Sequence, residues 1–183
     1  YWNGRTVAPY EAGMLIDSNY VLNSYAYGLF LGYMNSPVVS NNVIQNNTTG
    51  YASSYGMYFN YCYDSLRIYS NHITTSRYGL FYNYCIGNAS MRGRIHNNFV
   101  YVVHPTGSTV YGMYGNYSQY QDIIHNSVYT FNPGTGASYT LYEGYSSNTQ
   151  YLNNNFHNGG PARANNYAAY ILNNTNQTHD YNN

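Results

Sequence analysis

Lysine is missing from this sequence altogether, and its charge amounts to six arginines against six acids, 7% of residues with a formal net charge of zero. An average globular chain carries roughly 25% charged residues. So little positive charge argues against a nucleic-acid partner, which is held chiefly by phosphate neutralisation. Long apolar runs are missing too: nothing approaches the roughly 18 consecutive apolar residues that cross a bilayer, so no membrane span is expected. Apolar residues recurring at three- and four-residue spacings are also absent, which makes helix a poor account of any stretch. The chain starts at Tyr1 with neither Met nor a signal pattern, the form expected of a mature or trimmed product or of part of a longer one.

What fills the 183 residues instead is 28 Tyr and 29 Asn, arranged in two recurring half-motifs. The first, Tyr-Gly-apolar-aromatic-x-x-Tyr, reads YGLFLGY from Tyr27, YGMYFNY from Tyr55, YGLFYNY from Tyr78 and YGMYGNY from Tyr111. It drifts to YTLYEGY from Tyr139 and YAAYILN from Tyr167. The second, apolar-x-x-Asn-x-apolar, is centred on Asn19, Asn42, Asn71, Asn98, Asn126 and Asn154, which are 23, 29, 27, 28 and 28 residues apart. A period of that size belongs to solenoids, in which each repeat buries its apolar face only against its neighbours. β-Branched and aromatic residues alternate between Gly, Asn and Ser punctuation, as in short strands.

The expected architecture is therefore all-β: one domain over 1–183, with an irregular lead-in at 1–24, regular coils over 25–166 and an incomplete coil at 167–183. Parallel in-register coils would place equivalent residues about 4.8 Å apart, in columns along the stack. Three columns are aromatic. They are Tyr27, Tyr55, Tyr78, Tyr111, Tyr139 and Tyr167; Phe30, Tyr58, Phe81, Tyr114, Tyr142 and Tyr170; and Tyr33, Tyr61, Tyr84, Tyr117 and Tyr145. Simple alternation along a strand sends the first and third of these one way and the second the other. A column of exposed rings is then either a stiffening ladder or a flat platform for sugar rings or for a neighbouring fibre.

Together the YG-apolar and I-x-x-N-x-I halves resemble the right-handed parallel β-helix of pectate-lyase-like repeat proteins, over almost the whole chain. That resemblance implies that Leu29, Met57, Leu80, Met113 and Leu141 point inward and that the asparagine column sits at a turn. An Asn amide carries donors and an acceptor, so stacked copies can satisfy one another. Asn also tolerates a left-handed backbone at a sharp turn.

Within these columns no catalytic group, metal site or cofactor is expected. The acids Glu11, Asp17, Asp64, Asp122, Glu143 and Asp180 never share a column in adjacent coils, whereas glycosidases need paired carboxylates and lyases need clustered acids with calcium. The histidines scatter over different columns, short of the three or four ligands that a metal requires. Arg67, Arg94 and Asp122 do follow one another in a single column. They read either as an anion contact, for a uronate carboxylate among others, or as an Arg94–Asp122 surface ion pair. Cys62 and Cys85 fall at equivalent positions of consecutive coils, as a disulfide or as two small apolar side chains. Asn46, Asn47, Asn88, Asn116, Asn173 and Asn176 begin Asn-x-Ser/Thr tripeptides, candidate glycosylation sites on a secretory route.

The expected function is a non-catalytic structural protein, extracellular or at the cell surface, whose copies, or further repeats of a longer chain, stack end to end into a filament by heterologous contacts. The alternative is a carbohydrate-binding or carbohydrate-active β-helix protein with glycan partners.

Overall fold

The computed structural model of the protein describes residues 2–3, 9–46, 54–104 and 107–183. These form a parallel β-solenoid of three sheets with eight, seven and six strands and no helix among the described residues. The first sheet carries the YG half-motif, in Tyr27–Asn35, Tyr55–Tyr63, Tyr78–Asn83, Val110–Asn116, Ser138–Gly144 and Asn166–Leu172, with Trp2–Asn3 and Glu11–Ala12 at its start. The second holds Arg67–Tyr69, Gly93–His96, Gln121–Ile124 and their equivalents, ending at Thr178–Asp180. The third runs from Tyr20–Leu22 through His72–Thr75, Phe99–Val103 and Ser127–Phe131 to Asn155–Asn158.

Register follows the sequence columns. Tyr27 pairs with Tyr55, Tyr55 with Tyr78, Tyr78 with Tyr111, Tyr111 with Tyr139 and Tyr139 with Tyr167. Met57, Leu80, Met113 and Leu141 are buried in a continuous apolar core with Ile44, Ile68, Ile73, Ile95, Val100 and Ile123, and Leu29 packs against it. Burying such side chains contributes roughly 1.5–3 kcal/mol each relative to exposure, which is what closes the tube.

The expected alternation of faces fails at one place. The Tyr27 and Phe30 columns point the same way, with edge-on contacts at Tyr27–Phe30, Tyr78–Phe81, Tyr111–Tyr114 and Tyr139–Tyr142. The cause is that the residue after the first tyrosine also turns inward: it is glycine in four coils and the buried Thr140 in the fifth. Both Gly56 and Met57 face the core: a Cβ on Gly56 would run into Ile73 and lie 2.7 Å from the Gly79 carbonyl oxygen. Two successive residues thus turn inward, and the following aromatic comes out beside the first.

A second correction concerns the turn before the asparagine column. The left-handed residue is the one preceding each ladder asparagine: Ser18, Asn41, Ser70, Asn97, His125 and Asn153 have φ of 57°, 54°, 54°, 55°, 55° and 53°. The ladder asparagines contribute hydrogen bonds instead. The third aromatic column is itself left-handed, with φ of 56°, 53°, 49°, 49° and 54° at Tyr33, Tyr61, Tyr84, Tyr117 and Tyr145. Bulky residues adopt this conformation only where the surroundings impose it.

Candidate functional site

The asparagine ladder lies at the corner between the second and third sheets. Asn71 Nδ2 donates to Asn98 Oδ1 at 3.0 Å and to the Val39 carbonyl at 3.0 Å, while its backbone N–H donates to the same Asn98 Oδ1 at 3.1 Å. Asn42, Asn98, Asn126 and Asn154 repeat this pattern, and Asn182 extends the file beyond the expected six. Asn42, Asn71, Asn98, Asn126 and Asn154 are buried. Each inner amide thus fills both donors and both lone pairs, which removes the penalty of burying it. Between the ladder side chains donation always runs toward the coil that follows, and the second Nδ2 hydrogen bond goes back to a carbonyl of the coil before.

The aromatic columns are continuous stacks. Along the first, ring centroids lie 4.6–5.3 Å apart with planes within 16°. The third has 4.9–5.0 Å spacings within 14°. In the second, Tyr58 stands edge-on to Phe30 and Phe81, and stacking resumes from Phe81 to Tyr170. Stacking at strand spacing covers the ring faces, so these columns turn edges and hydroxyls outward. The flat sugar platform expected of an exposed ring column is not what they form. The Tyr33 column is the one most open to solvent, with Tyr117 and Tyr145 exposed. Burial, with repulsion from neighbouring phenols, pushes Tyr58 and Tyr111 up to about 12, so the rows stay neutral.

A fourth aromatic file, not identified from the sequence, runs along the third sheet: Tyr101, Tyr129 and His157 stack at 5.2 and 5.3 Å. Beside it lies a groove of about 410 Å³ lined by Phe99, Ser127, Asn155 and the file itself. Ser127 and Asn155 follow Phe99 in register, so the next strand sets no ring against Phe99.

On the second sheet, Arg67, Arg94 and Asp122 are register partners as expected. The ion pair is different. Asp122 is held by Arg92, whose Nε lies 2.6 Å from Oδ1, and Arg92 also donates to the Gln121 and Asn148 carbonyls. The Asn88–Met91 turn, closed by Asn88 Oδ1 accepting from the Ser90 and Met91 amides, delivers Arg92 to the aspartate ahead of Arg94.

Glu143 is the surprise of the interior. It is fully buried, and Tyr82 donates to its Oε2 at 2.5 Å. Burial pushes its carboxyl up to about 7, against the pull of the Ser146 and Tyr82 hydroxyls. The signal was present in the sequence: Glu143 occupies the strand position held by Phe59 and Tyr82, an inward column.

Cys62 and Cys85 are both free thiols, buried in the core column that begins with Met34. Their sulfurs contact the Leu31 and Phe59 carbonyls at 3.9 Å, and the disulfide reading gives way to the apolar one. Hydrogen bonding with Cys85 and burial push the Cys62 thiol up. Of the Asn-x-Ser/Thr asparagines, Asn46 is buried with its amide on the Tyr55 carbonyl, and Asn116 Nδ2 is bonded to Asn83. The burial of Asn46 counts against a glycan there, while Asn116 is half-buried. Asn173 and Asn176 are exposed, Asn88 is half-buried, and Asn47 lies outside the described residues. The described residues contain no group of three His, Cys, Asp or Glu suited to a metal, and no helix long and apolar enough to cross a membrane.

Compared with known protein families, curated proteins and solved structures, the chain matches none.

Proposed function

We propose that the chain is a non-catalytic structural protein of an extracellular filament or surface fibre, built by stacking coils end to end. The observation that carries this reading is the edge of the coil formed by Asn166–Leu172 and Thr178–Asp180. Its core-facing Ala169, Ile171 and His179 are exposed, whereas their register partners Leu141, Glu143 and Tyr151 in the preceding coil are buried. Inner coils cover these positions with the coil that follows, so a further coil in the same register, from a second copy or from more of the same chain, would cover them. At the far end Asn19 Oδ1 has no donor from a preceding ladder asparagine, the counterpart of Asn182. The first and second sheets would join directly. The third sheet would keep a one-strand gap at the junction, because Asn155–Asn158 is its last strand.

The acids support the non-catalytic part. Asp17 is bound by Ser40 and Asn41, Asp122 by Arg92, and Glu143 is sealed inside. A kinship with pectate-lyase-like β-helices belongs to the same reading and draws on the parallel sheets and the asparagine file. Electron microscopy and sedimentation over rising concentration test it. Rods that lengthen with concentration, and shorten when Ile171→Lys puts charge on the edge, are expected; a monodisperse particle at high concentration overturns the proposal.

The Phe99 groove favours a second reading, glycan binding, because an open aromatic face over Ser127 and Asn155 suits a neutral sugar ring. Retention on a glycan array that Phe99→Ala abolishes is the expected result, and an unchanged or blank array ends it.

A further inference from the structure

The solenoid's cations are not evenly spread. Three of its six arginines, Arg67, Arg92 and Arg94, line one groove of about 320 Å³ on the second sheet, beside the Ala89–Met91 turn. Among the other described arginines, Arg77 lies over the Tyr78 ring at 5.3 Å, and Arg163 donates to the Pro133 carbonyl at 2.9 Å. The Arg67 and Arg94 side chains make no hydrogen bond or ion pair among the described residues, although they are exposed and directly opposed in neighbouring parallel strands. Like charges placed so are mutually repulsive. The one carboxylate in their column, Asp122, is already engaged by Arg92. The rest of the column, Leu15, Val38, Gln150 and Thr178, is neutral.

We infer that this groove is a binding site for a single oxyanion group, a carboxylate, sulfate or phosphate, bridged between the Arg67 and Arg94 guanidiniums. Strand spacing puts their backbones about 4.8 Å apart, a span that one planar or tetrahedral oxyanion can bridge while each guanidinium donates a pair of hydrogen bonds. Ser90, exposed on the adjoining turn, adds a neutral hydroxyl donor. Arg92 is fixed by Asp122 and by two carbonyls, so it shapes the wall and leaves the two free guanidiniums to hold the ligand. The groove's field reaches His96, whose pKa is lowered by burial first and then by Arg94, His125 and Arg67. The site lies on the side of the solenoid, so it does not depend on end-to-end stacking.

The test is thermal unfolding and calorimetric titration of the full chain with sodium sulfate, sodium phosphate, sodium glucuronate and glucose, each against sodium chloride at matched ionic strength. A saturable rise in melting temperature with the oxyanions, and none with glucose, is expected. Arg67→Gln and Arg94→Gln should each weaken binding at least tenfold, Arg163→Gln should leave it unchanged, and in chloride the first two should melt no lower than the parent. That last readout separates a lost site from a lost fold. Glucuronate binding tighter than sulfate and phosphate assigns the group to an acidic sugar; the reverse order assigns it to an inorganic anion or its ester. His96 imidazole resonances should titrate at higher pH when the site is filled. No saturable effect beyond chloride, or full binding by both glutamine variants, overturns the inference.

Discussion

At Glu143 a carboxylate occupies a position that Leu31 and Phe59 fill with hydrocarbon in earlier coils. Its ordinary value of 4.5 rises to about 7 in the fold, so the folded chain holds this proton more tightly than the unfolded chain does. The protonated form is therefore stabilised below about pH 4.5, stability declines as pH climbs toward 7, and above that the loss is complete, on the order of 3 kcal/mol. Replacing Glu143 by Gln keeps the shape without the charge. Denaturant unfolding from pH 4 to 9 should show this decline in the parent and a flatter profile in Glu143→Gln, with the variant more stable at pH 8. A parent whose stability rises over the same range would contradict the assignment. One residue thus links a coil's core to ambient pH.

In the asparagine file, position decides how much each amide contributes. Removing the Asn98 side chain leaves the Asn71 backbone N–H and Nδ2, the Ile68 carbonyl and Asn126 Oδ1 short of partners in a buried corner. Asn98→Ala should lose on the order of 3 kcal/mol by denaturant melt, since each unsatisfied buried group costs about 1–3 kcal/mol and neighbours partly relax. Asn19 is exposed at the start of the file, and Asn19→Ala should lose under about 1 kcal/mol, because water takes over its partners. Equal losses at the two sites would mean that the file is ornamental. The file was legible in the sequence because its spacing is fixed by one whole coil. What sequence could not supply was the turn in front of it: a Ser, an Asn or a His takes the left-handed position, and no single residue type marks it. The glycine bend was hidden for a similar reason. YG reads as ordinary alternation until packing against Ile73 turns the glycine and the following methionine both inward. The arginine column was visible as a column, but Arg92 reaches Asp122 from a loop, and loop reach has no period.

Across the molecule, columns that follow the repeat could be read from the sequence, and contacts made by departures from it could not: Glu143, the Phe99 groove and the Arg92 clamp all belong to the second kind. Periodicity also gives the solenoid a direction. From Asn19 to Asn182, six successive side-chain amide bonds point along the axis in one sense. Aligned amides add as vectors, so the corner carries a net electric moment that grows with every coil. Two such rods lying side by side attract when they run in opposite senses and repel when they run in the same one, so any lateral bundling of these solenoids would favour alternating orientations.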